Sequence, residues 1–333
     1  MNTDDILTIS LDSSKNGGIA RFQRTLVDNL DIDYLFFSWE SSEAHIKKIF
    51  GKHPILFFNP FSLFYRLRKK RIIILNDPQF STVSLAVLIY RFFKKDLRVI
   101  FISHGFLFHT ESNYFFKNLY FRFLCKFILP TMELVSVSMS DSEILRRYSV
   151  DHFTEIVHGV NFLNKIETKK KYDFCCVGRN GPNKKINLFV ELIKKLSLED
   201  SDIKAVLVTS NYSQNLPNNI EFKTMLSDEE MINVYAQSKY FVSFSTYEGF
   251  GLAALEAVGC GCIPVLYANS SFLRIFEGYP QHLVKELDID SAIQTLSILD
   301  KTSCSDLRVF LQSKYSLEAM VEKYNKLLKI NSI

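Results

Sequence analysis

The sequence lacks the features that would place the protein across a membrane or direct it out of the cell. A transmembrane helix needs about 20 mostly apolar residues. The longest uncharged run, Ala257–Leu273, contains two glycines, a proline and an asparagine. The first ten residues are acidic and lack the basic segment that opens a secretory signal peptide. We therefore predict neither a membrane-spanning segment nor a leader.

Metal-binding and disulfide patterns are also missing. The six cysteines include no Cys-x-x-Cys pair, and Cys175 and Cys176 fall within an apolar strand pattern. This favours reduced thiols in the core of a cytoplasmic protein over disulfides or a zinc site. The Asp-x-Asp pairs either precede a strand or open a late helix, so they do not follow a strand as a metal site here should (31–33, 200–202 and 288–290). We expect no metal site.

Phenylalanine and positive charge are abundant, and both are concentrated in the first half. Of the 30 Phe residues, 21 lie before residue 169. Between Arg66 and Lys126 there are 12 basic and 3 acidic residues. Basic residues interleaved with aromatic ones favour an anionic membrane surface as partner. The alternative is an aromatic core beneath a basic surface. Nucleic acid is the least favoured partner, because no nucleic-acid-binding motif is present.

Short β-branched runs alternate with amphipathic segments along the chain, which predicts an α/β protein with parallel sheets covered by helices. The first series predicts strands at residues 6–10, 34–37, 55–58, 72–75, 99–102, 134–137 and 155–157, and helices at about 19–30, 42–50, 81–93, 112–129 and 140–148. The second predicts strands at 173–178, 205–209, 240–245 and 263–266, and helices at 186–196, 228–237, 251–258, 289–299 and 317–330. A polar stretch without apolar periodicity, residues 161–173, separates two such series. We predict two Rossmann-like domains, residues 1–165 and 166–333, and allow the last helix to cross back to the first domain. The ligand of such a pair is expected in the cleft between them, at the carboxyl ends of strands.

The most informative segment is STYEGFGLAALEAVGCGCIPV at residues 245–265, in which a strand ends in a glycine-containing turn and a helix follows. Gly249 and Gly251 let the backbone approach a ligand closely. The first amides of the helix form an anion site, with Glu248 in front of it and Glu256 further along. Amides that bind phosphate and carboxylates that bind hydroxyl groups together suit a sugar nucleotide.

Three other segments place polar or glycine residues directly after strands. Arg179 and Lys184 in VGRNGPNKK are two cations able to hold a diphosphate leaving group. Gly17 and Gly18 follow the first strand and allow backbone amides to approach a phosphate, although a plain strand-to-helix turn fits them equally well. His104 follows a strand in ISHGFLFHT.

In this order, the segments resemble the retaining GT-B glycosyltransferases of family 4. Glu248 and Glu256 have the spacing of the family's Glu-x7-Glu element, and Arg179 and Lys184 match its Gly-Arg-x4-Lys-Gly segment. Lys185 stands where the family usually has glycine, so the register between Lys184 and Lys185 stays open.

The N-terminal half resembles the same family at two further places. Gly17-Gly18 matches its Gly-Gly loop, and His104 matches its Ser/Thr-His-Gly element. The longer string that runs from His104 to His109 and Thr110 is similar to the subgroup acting on polyprenyl-diphosphate-linked oligosaccharides in surface polysaccharide assembly; alternatively His109 caps the next helix. His158 begins a segment similar to the family's Asn-Gly-Val-Asp turn, with a structural role expected.

The resemblance implies a retaining, metal-independent transfer of a hexosyl group (mannose, glucose or N-acetylhexosamine type) from a GDP- or UDP-linked donor. The acceptor would be lipid-linked or a surface polysaccharide, at the inner face of the cell membrane. The nucleotide sugar is then a substrate, and no cofactor is expected. The implied catalytic residues are Glu248, His104, Arg179 and Lys184. The implied donor-binding residues are Gly17, Gly18, Arg179, Lys184, Glu248, Phe250, Gly251, Leu252 and Glu256, with Glu248 on the sugar and Glu256 on the ribose.

Two functions of other classes fit the same residues. A catalytically silent partner subunit would keep the sugar-nucleotide site without turnover. A nucleotide-sugar epimerase of GT-B shape would convert the donor without any acceptor.

Overall fold

The computed structural model describes residues 5–11, 18–30, 32–37, 60–76, 82–104, 115–162, 168–299 and 305–329. It divides into two compact units, Met1–His158 with Met320–Ile333, and Gly159–Ala319. Each unit contains one six-stranded parallel sheet, which confirms the predicted α/β class. The sequence predicts a domain boundary after residue 165, whereas the two units divide after His158. Most of the last helix belongs to the first unit.

The sheet of the first unit has the strand order β2-β1-β3-β4-β5-β6. Its strands are β1 (Ile6–Leu11), β2 (Asp33–Phe37), β3 (Ile72–Asn76), β4 (Arg98–Ser103), β5 (Glu133–Ser136) and β6 (Thr154–Glu155). Its helices are α1 (Gly18–Leu30), α2 (Pro60–Leu67), α3 (Thr82–Phe93), α4 (Phe115–Phe123) and α5 (Met139–Arg147). All five residues of β3 are buried, as expected of a parallel strand covered on both faces.

The sheet of the second unit has the order β12-β11-β10-β7-β8-β9. Its strands are β7 (Tyr172–Val177), β8 (Ala205–Val208), β9 (Ile220–Lys223), β10 (Ser238–Ser243), β11 (Ile263–Tyr267) and β12 (Leu283–Val284). The helices are α6 (Ile186–Leu196), α7 (Asp228–Ala236), α8 (Leu252–Gly259), α9 (Ser270–Ile275), α10 (Ile289–Leu299) and α11 (Ser305–Tyr315). The last helix, α12 (Leu317–Leu328), begins in this unit and ends in the first.

The aromatic segment before β5 differs from the single helix predicted over residues 112–129. After α4 the chain forms a π-helical turn, Leu124–Ile128, and then a 3-10 turn, Leu129–Thr131. The backbone N–H of Leu129 donates to the carbonyl of Leu124, five residues earlier. Pro130 has no N–H to donate, so regular α-helical bonding cannot continue through it.

The sequence patterns do not predict five elements: α2, α9, α11, β9 and β12. Two of these carried a signal, because α2 begins with Pro60 and Asn269 caps α9 by accepting from the N–H of Phe272. Both residue types are favoured at those positions of a helix. The predicted helix at 42–50 and strand at 55–58 lie outside the described residues.

The described cysteines are buried free thiols, as the sequence predicts (Cys125, Cys175, Cys176, Cys260 and Cys262). Cys304 lies outside the described residues. Within the part of the chain that the structure describes, no helix is long and apolar enough to cross a membrane.

Tyr324 of α12 carries a buried hydroxyl group in the first unit. Its ring centroid lies 6.2 Å from that of Phe22, and burial raises the pKa of Tyr324 far above its ordinary value. Its Oη has no hydrogen-bond partner among the described residues. An unsatisfied buried polar group costs about 1–3 kcal/mol.

We therefore expect Tyr324→Phe to raise the free energy of unfolding by about 1 kcal/mol, because it removes the hydroxyl and keeps the ring. Tyr324→Ala should lower the same free energy by about 3–5 kcal/mol, because it leaves a cavity. Chemical denaturation followed by circular dichroism measures both. A Phe variant less stable than the wild type would contradict the interpretation.

Candidate functional site

In the second unit, the predicted donor-binding segments follow two neighbouring strands, β7 and β10, which pair in parallel. The chain runs from β7 to β8 and β9 on one side, whereas β10, β11 and β12 lie on the other. Ligands of open α/β sheets bind outside the carboxyl ends of the strands where the order reverses in this way. The segment 178–185 follows β7 and the segment 244–251 follows β10, so both border that point.

Lys184 and Glu248 form an ion pair across these two segments. The Nζ of Lys184 donates to Oε1 of Glu248 at 2.6 Å, and the two side chains are 21% and 16% exposed. The aliphatic part of Lys184 lies over Gly178, where an added Cβ would be 3.6 Å from Lys184 Cδ. A Cβ at position 178 would thus make an ordinary van der Waals contact with the lysine, which packs against the end of β7.

Lys185 has a different environment from Lys184. It is exposed, and its backbone has φ +50° and ψ +39° immediately before α6. Glycine is favoured in this left-handed conformation, because a Cβ is strained there. Lys185 is thus the position at which a glycine is suited, and Lys184 is the lysine that faces the carboxylate of Glu248.

Asn183 ties the segment after β7 to the segment after β10 through the backbone. Its carbonyl accepts the N–H of Thr246 at 2.8 Å, and its Nδ2 donates to the carbonyl of Tyr247 at 3.1 Å. The sequence analysis did not single out Asn183. These bonds hold the residues just before Glu248, and so fix where its carboxylate stands.

The segment after β11 supports Glu248 from the other side. Asn269 donates through Nδ2 to the carbonyl of Ser245 at 2.8 Å, and the hydroxyl of Ser271 donates to the carbonyl of Glu248 at 2.7 Å. Three adjacent strands therefore each contribute a segment to one turn. Such support on both sides pre-organises a binding group before any ligand arrives.

Gly251 starts α8 in a conformation that only glycine suits. Its φ is +91°, and an added Cβ would lie 2.7 Å from Cε1 of Phe272. No side chain caps the helix. The amides of Leu252 and Ala253 belong to the first turn, which has no partners within the helix. This helix start next to Glu248 suits an anionic group.

The other predicted residues of the second unit are placed as follows. Phe250 packs its buried ring edge-on against Tyr315 at 5.7 Å, so it can offer a ligand only its backbone. Arg179 is exposed and Glu256 lies half-buried on α8. A Cβ built on Gly249 meets no described atom within 4 Å, so that turn is open.

In the first unit, His104 follows β4 and is buried in a polar network. Its Nε2 lies 3.1 Å from Oδ1 of Asn76, at the end of β3. The Nδ2 of Asn76 donates to Oγ1 of Thr8 at 2.8 Å and to Oε1 of Gln23. Because the amide nitrogen of Asn76 faces two oxygens, its own oxygen faces the imidazole. The proton of neutral His104 is therefore on Nε2.

The sequence analysis missed three members of this network: Thr8, Gln23 and Asn76. Thr8 and Asn76 are polar residues in strands that are otherwise mostly apolar, and both are fully buried. A polar residue within an apolar strand pattern was the signal available. Gly18 is the first residue of α1, whereas Gly17, His109 and Thr110 lie outside the described residues.

His158 lies beside His104 in the first unit, with ring centroids 5.9 Å apart. Phe22 packs edge-on against both rings, at 5.1 Å and 4.6 Å. Burial, with a smaller contribution from His158, lowers the pKa of His104 well below its ordinary value. Burial lowers the pKa of His158 to about 4. Both imidazoles are therefore neutral at pH 7, and His104 can offer hydrogen bonds but no charge.

A metal centre is not visible in the part of the chain that the structure describes. There, no group of three or more His, Cys, Asp or Glu side chains is arranged to hold a metal ion.

Comparison with known proteins agrees with the chemistry of the second unit. Residues 161–302 match the family described as "Glycosyl transferases group 1". They form a glycosyl transferases group 1 domain. This domain contains the Lys184–Glu248 pair, Gly251 and α8.

Two curated relatives are each named GDP-mannose:cellobiosyl-diphosphopolyprenol alpha-mannosyltransferase. The protein of Komagataeibacter xylinus is 24% identical over 53% of this chain and 49% of its own length. That of Xanthomonas oryzae pv. oryzae is 23% identical over 59% of this chain and 57% of its own length. The match thus spans about half the length of these relatives.

Solved structures show that the glycosyl transferases group 1 domain is part of a GT-B fold. Anabaena HepE in complex with UDP and glucose superposes with a TM-score of 0.76 at 13% identity, over 98% of this chain and 100% of that one. The sucrose-phosphate synthase of Thermosynechococcus elongatus gives a TM-score of 0.71 at 15% identity, over 98% of both chains. The predicted GT-B class is confirmed.

The backbone at Lys185 yields a prediction about stability. We expect Lys185→Gly to raise the free energy of unfolding by about 0.5–1 kcal/mol. Relief of left-handed strain, about 1–2 kcal/mol, exceeds the entropy that glycine adds to the unfolded chain. Lys185→Ala is the matched control, because it removes the side chain and keeps the Cβ; it should not stabilise. Denaturant titration distinguishes the two, and equal effects of Gly and Ala would contradict the argument.

The lowered pKa of His158 yields a prediction about pH. Because the folded-state pKa is about 4 and the unfolded one about 6.5, the unfolded state binds the proton first as pH falls. The contribution of neutral His158 is present above pH 6.5 and is lost towards pH 4. Relative to His158→Asn, the wild type should lose on the order of 3 kcal/mol of stability across that window.

Amide hydrogen exchange in β1, β3 and β4 reports this loss for the first unit alone. His104 and the carboxylates titrate in both proteins, so the difference between the two curves reports His158 together with its smaller effect on His104. Parallel stability curves for the two proteins would show that His158 is not buried as a neutral group.

Proposed function

We propose that the protein is a glycosyltransferase that moves a hexosyl group from a GDP- or UDP-linked sugar to a lipid-linked or surface-polysaccharide acceptor. The observation that carries the proposal is the Lys184–Glu248 pair beside the open start of α8. It lies where the strand order of a glycosyl transferases group 1 domain reverses. The names of the curated relatives support mannose as the sugar and a polyprenyl-diphosphate-linked acceptor.

In the proposed reaction, the bond from the anomeric carbon to the diphosphate oxygen breaks, and a bond to the acceptor oxygen forms on the same face of the sugar. The acceptor proton passes to the departing diphosphate oxygen, so the product retains its anomeric configuration and no protein nucleophile is needed. Negative charge builds up on the diphosphate as it leaves. Lys184, Arg179 and the first amides of α8 stabilise that charge. In other enzymes a metal ion provides this stabilisation.

The ion pair lets Lys184 and Glu248 serve different parts of the donor. An ammonium group has three N–H donors, and the bond to Glu248 uses one of them. The others remain for diphosphate oxygens. Glu248 keeps acceptor positions for sugar hydroxyls while its charge holds the ammonium in place. Glu256, further along α8, would bind the ribose.

His104 would position the donor sugar from the first unit. As a neutral imidazole with its proton on Nε2, it has an acceptor nitrogen, Nδ1, to which no described residue donates and which would receive a hydroxyl hydrogen bond. A positive charge there is excluded by burial at neutral pH. Its role is therefore to orient the sugar, whereas stabilisation of the leaving group falls to Lys184 and Arg179.

The acceptor would bring the protein to a membrane. A polyprenyl-diphosphate carrier stays in the bilayer, so we propose that the protein works as a peripheral protein on the inner face of the cell membrane. The nucleotide sugar is the only small molecule that the reaction needs.

We expect Lys184→Ala and Glu248→Ala each to lower the transfer rate by about 10²–10³, because each removes pre-organised stabilisation of the leaving group or the sugar. The matched control is Lys185→Ala, one residue away and exposed, which should stay within about twofold of the wild type. Mass spectrometry of a polyprenyl-diphosphate oligosaccharide incubated with GDP-mannose, and separately with UDP-sugars, measures the transfer.

The same assay separates the other functions. Donor isomerised without acceptor indicates an epimerase, and donor binding without either product indicates a silent subunit. Unchanged turnover in Lys184→Ala or Glu248→Ala would refute the assigned site.

A further inference from the structure

The first unit exposes two stripes of large apolar side chains. On α3 the residues are spaced by three, four and eight positions, the repeat of one helix face: Leu85, Ile89, Phe92 and Phe93. On α4 and the π-helical turn after it they repeat every four positions, with one neighbour: Leu119, Tyr120, Phe123 and Phe127. Phe92 and Phe93 are each 78% exposed. We call these eight residues, together with Tyr65 of α2, the aromatic face.

The elements that carry the aromatic face lie side by side on the sheet. Their inner sides share one core cluster, to which α3 contributes Val83 and Val87, and α4 contributes Phe121. The guanidinium of Arg91, at the end of α3, donates to the carbonyl of Thr131, just after the π-helical turn. On the other side of α3, Tyr90 stacks on Phe64 of α2 at 5.5 Å.

Folding does not account for the outward side of α3. The helix, TVSLAVLIYRFF, has Arg91 as its one charged residue, and its inner residues already fill the core. A surface helix normally presents polar residues to water. Contiguous apolar side chains on the surface mark a site of interaction.

Positive charge accompanies the aromatic face. Exposed cations on the same segments are Arg68, Lys69, Lys95, Arg122 and Lys126, and one exposed carboxylate, Asp96, follows Lys95. Two of them lie over rings of the face: the guanidinium of Arg68 is 5.7 Å from the Tyr65 centroid, and Nζ of Lys126 is 5.3 Å from that of Phe127. The charge and the apolar surface therefore belong to one patch.

Lys70 does not belong to this patch, although it follows Arg68 and Lys69 in the basic run. It is 8% exposed and pairs with Asp33 of β2. The half-buried Lys94 is also engaged within the unit, with Nζ donating to the carbonyls of Arg68 at 3.0 Å and Lys70 at 2.6 Å. The cations able to meet a partner are thus fewer than the sequence suggests.

We propose that the aromatic face docks the first unit onto an anionic lipid bilayer. In a bilayer the apolar side chains enter the boundary of the acyl chains while the cations meet anionic headgroups. A second copy of the chain would bring like charges together, because the exposed cations of the patch would face their own counterparts. A nucleic acid would stack on aromatic rings but would leave Leu85, Ile89 and Leu119 in water.

The docking rests on the proposed function only in that a lipid-linked acceptor resides in such a bilayer. Its test is flotation of the full-length protein with vesicles of phosphatidylethanolamine and phosphatidylglycerol, compared with phosphatidylcholine alone. The wild type should bind the anionic vesicles. Phe92→Ser with Phe93→Ser should weaken binding at least tenfold, and Arg68→Gln with Lys69→Gln about tenfold or more, with a weaker dependence on salt.

Two exposed residues of the second unit provide the matched control. Leu198 and Met225 are 87% and 93% exposed, and Leu198→Ser with Met225→Ser should leave vesicle binding unchanged. Circular dichroism checks that each variant remains folded. Equal loss in the control variant, or no binding of the wild type to anionic vesicles, would overturn the proposal.

Self-association is tested in the same samples by sedimentation velocity without lipid. A wild-type dimer that Phe92→Ser with Phe93→Ser abolishes, in the absence of vesicle binding, would assign the face to a second copy and overturn the lipid assignment. A monomer that binds anionic vesicles supports docking.

Transfer assays keep the docking and the proposed function distinguishable. With a short, water-soluble acceptor analogue, the double variant Phe92→Ser with Phe93→Ser should have a transfer rate within twofold of the wild type. Both substitutions lie outside the group 1 domain, residues 161–302. With a long-chain acceptor in anionic vesicles its transfer should fall with its binding. Vesicle binding without any transfer refutes the function alone; transfer without vesicle binding refutes the docking alone.

Discussion

The ion pair between Lys184 and Glu248 is the interaction on which the candidate site of the second unit depends. The two residues are 64 positions apart in the chain and meet because β7 and β10 are neighbours where the strand order reverses. Around the pair, Asn183, Asn269 and Ser271 bind the carbonyl groups of the Glu248 turn. Burial of either charge alone would be costly, so each residue makes the position of the other possible. The result is a charged pair that the surrounding hydrogen bonds hold in place.

The first unit uses uncharged polar groups instead. Thr8, Gln23 and Asn76 are buried together, and they fix both the orientation and the tautomer of His104. Burial keeps the pKa of His104 and His158 low, so both imidazoles are neutral at pH 7. The first unit therefore holds polar groups without positive charge, whereas the second unit holds an ion pair. The outer surface of the first unit is also unusual, because α3 exposes apolar side chains to solvent as well as burying them in the core.

Much of the fold follows from local patterns. The apolar runs predict most strands to within about two residues, since a strand buried in a parallel sheet must be apolar throughout. The weakly marked elements, β9 and β12, escaped because short edge strands carry little periodicity. The aromatic segment before β5 was predicted as one helix, and the break into a π-helical and a 3-10 turn shows how Pro130 limits regular bonding. The signals for α2 and α9, Pro60 and Asn269, were available in the sequence.

The sequence by itself determined the α/β class and the two-part organisation, and it pointed to the segments of the candidate site, because these depend on periodicity and on spacing within single segments. Only the tertiary structure decided which residues meet. It paired Lys184 with Glu248 and left Lys185 exposed in a left-handed backbone. It buried Lys70 against Asp33 and turned Phe92 and Phe93 outwards. Strand order and helix packing decide which distant residues become partners. Neither can be deduced from the local sequence around those residues.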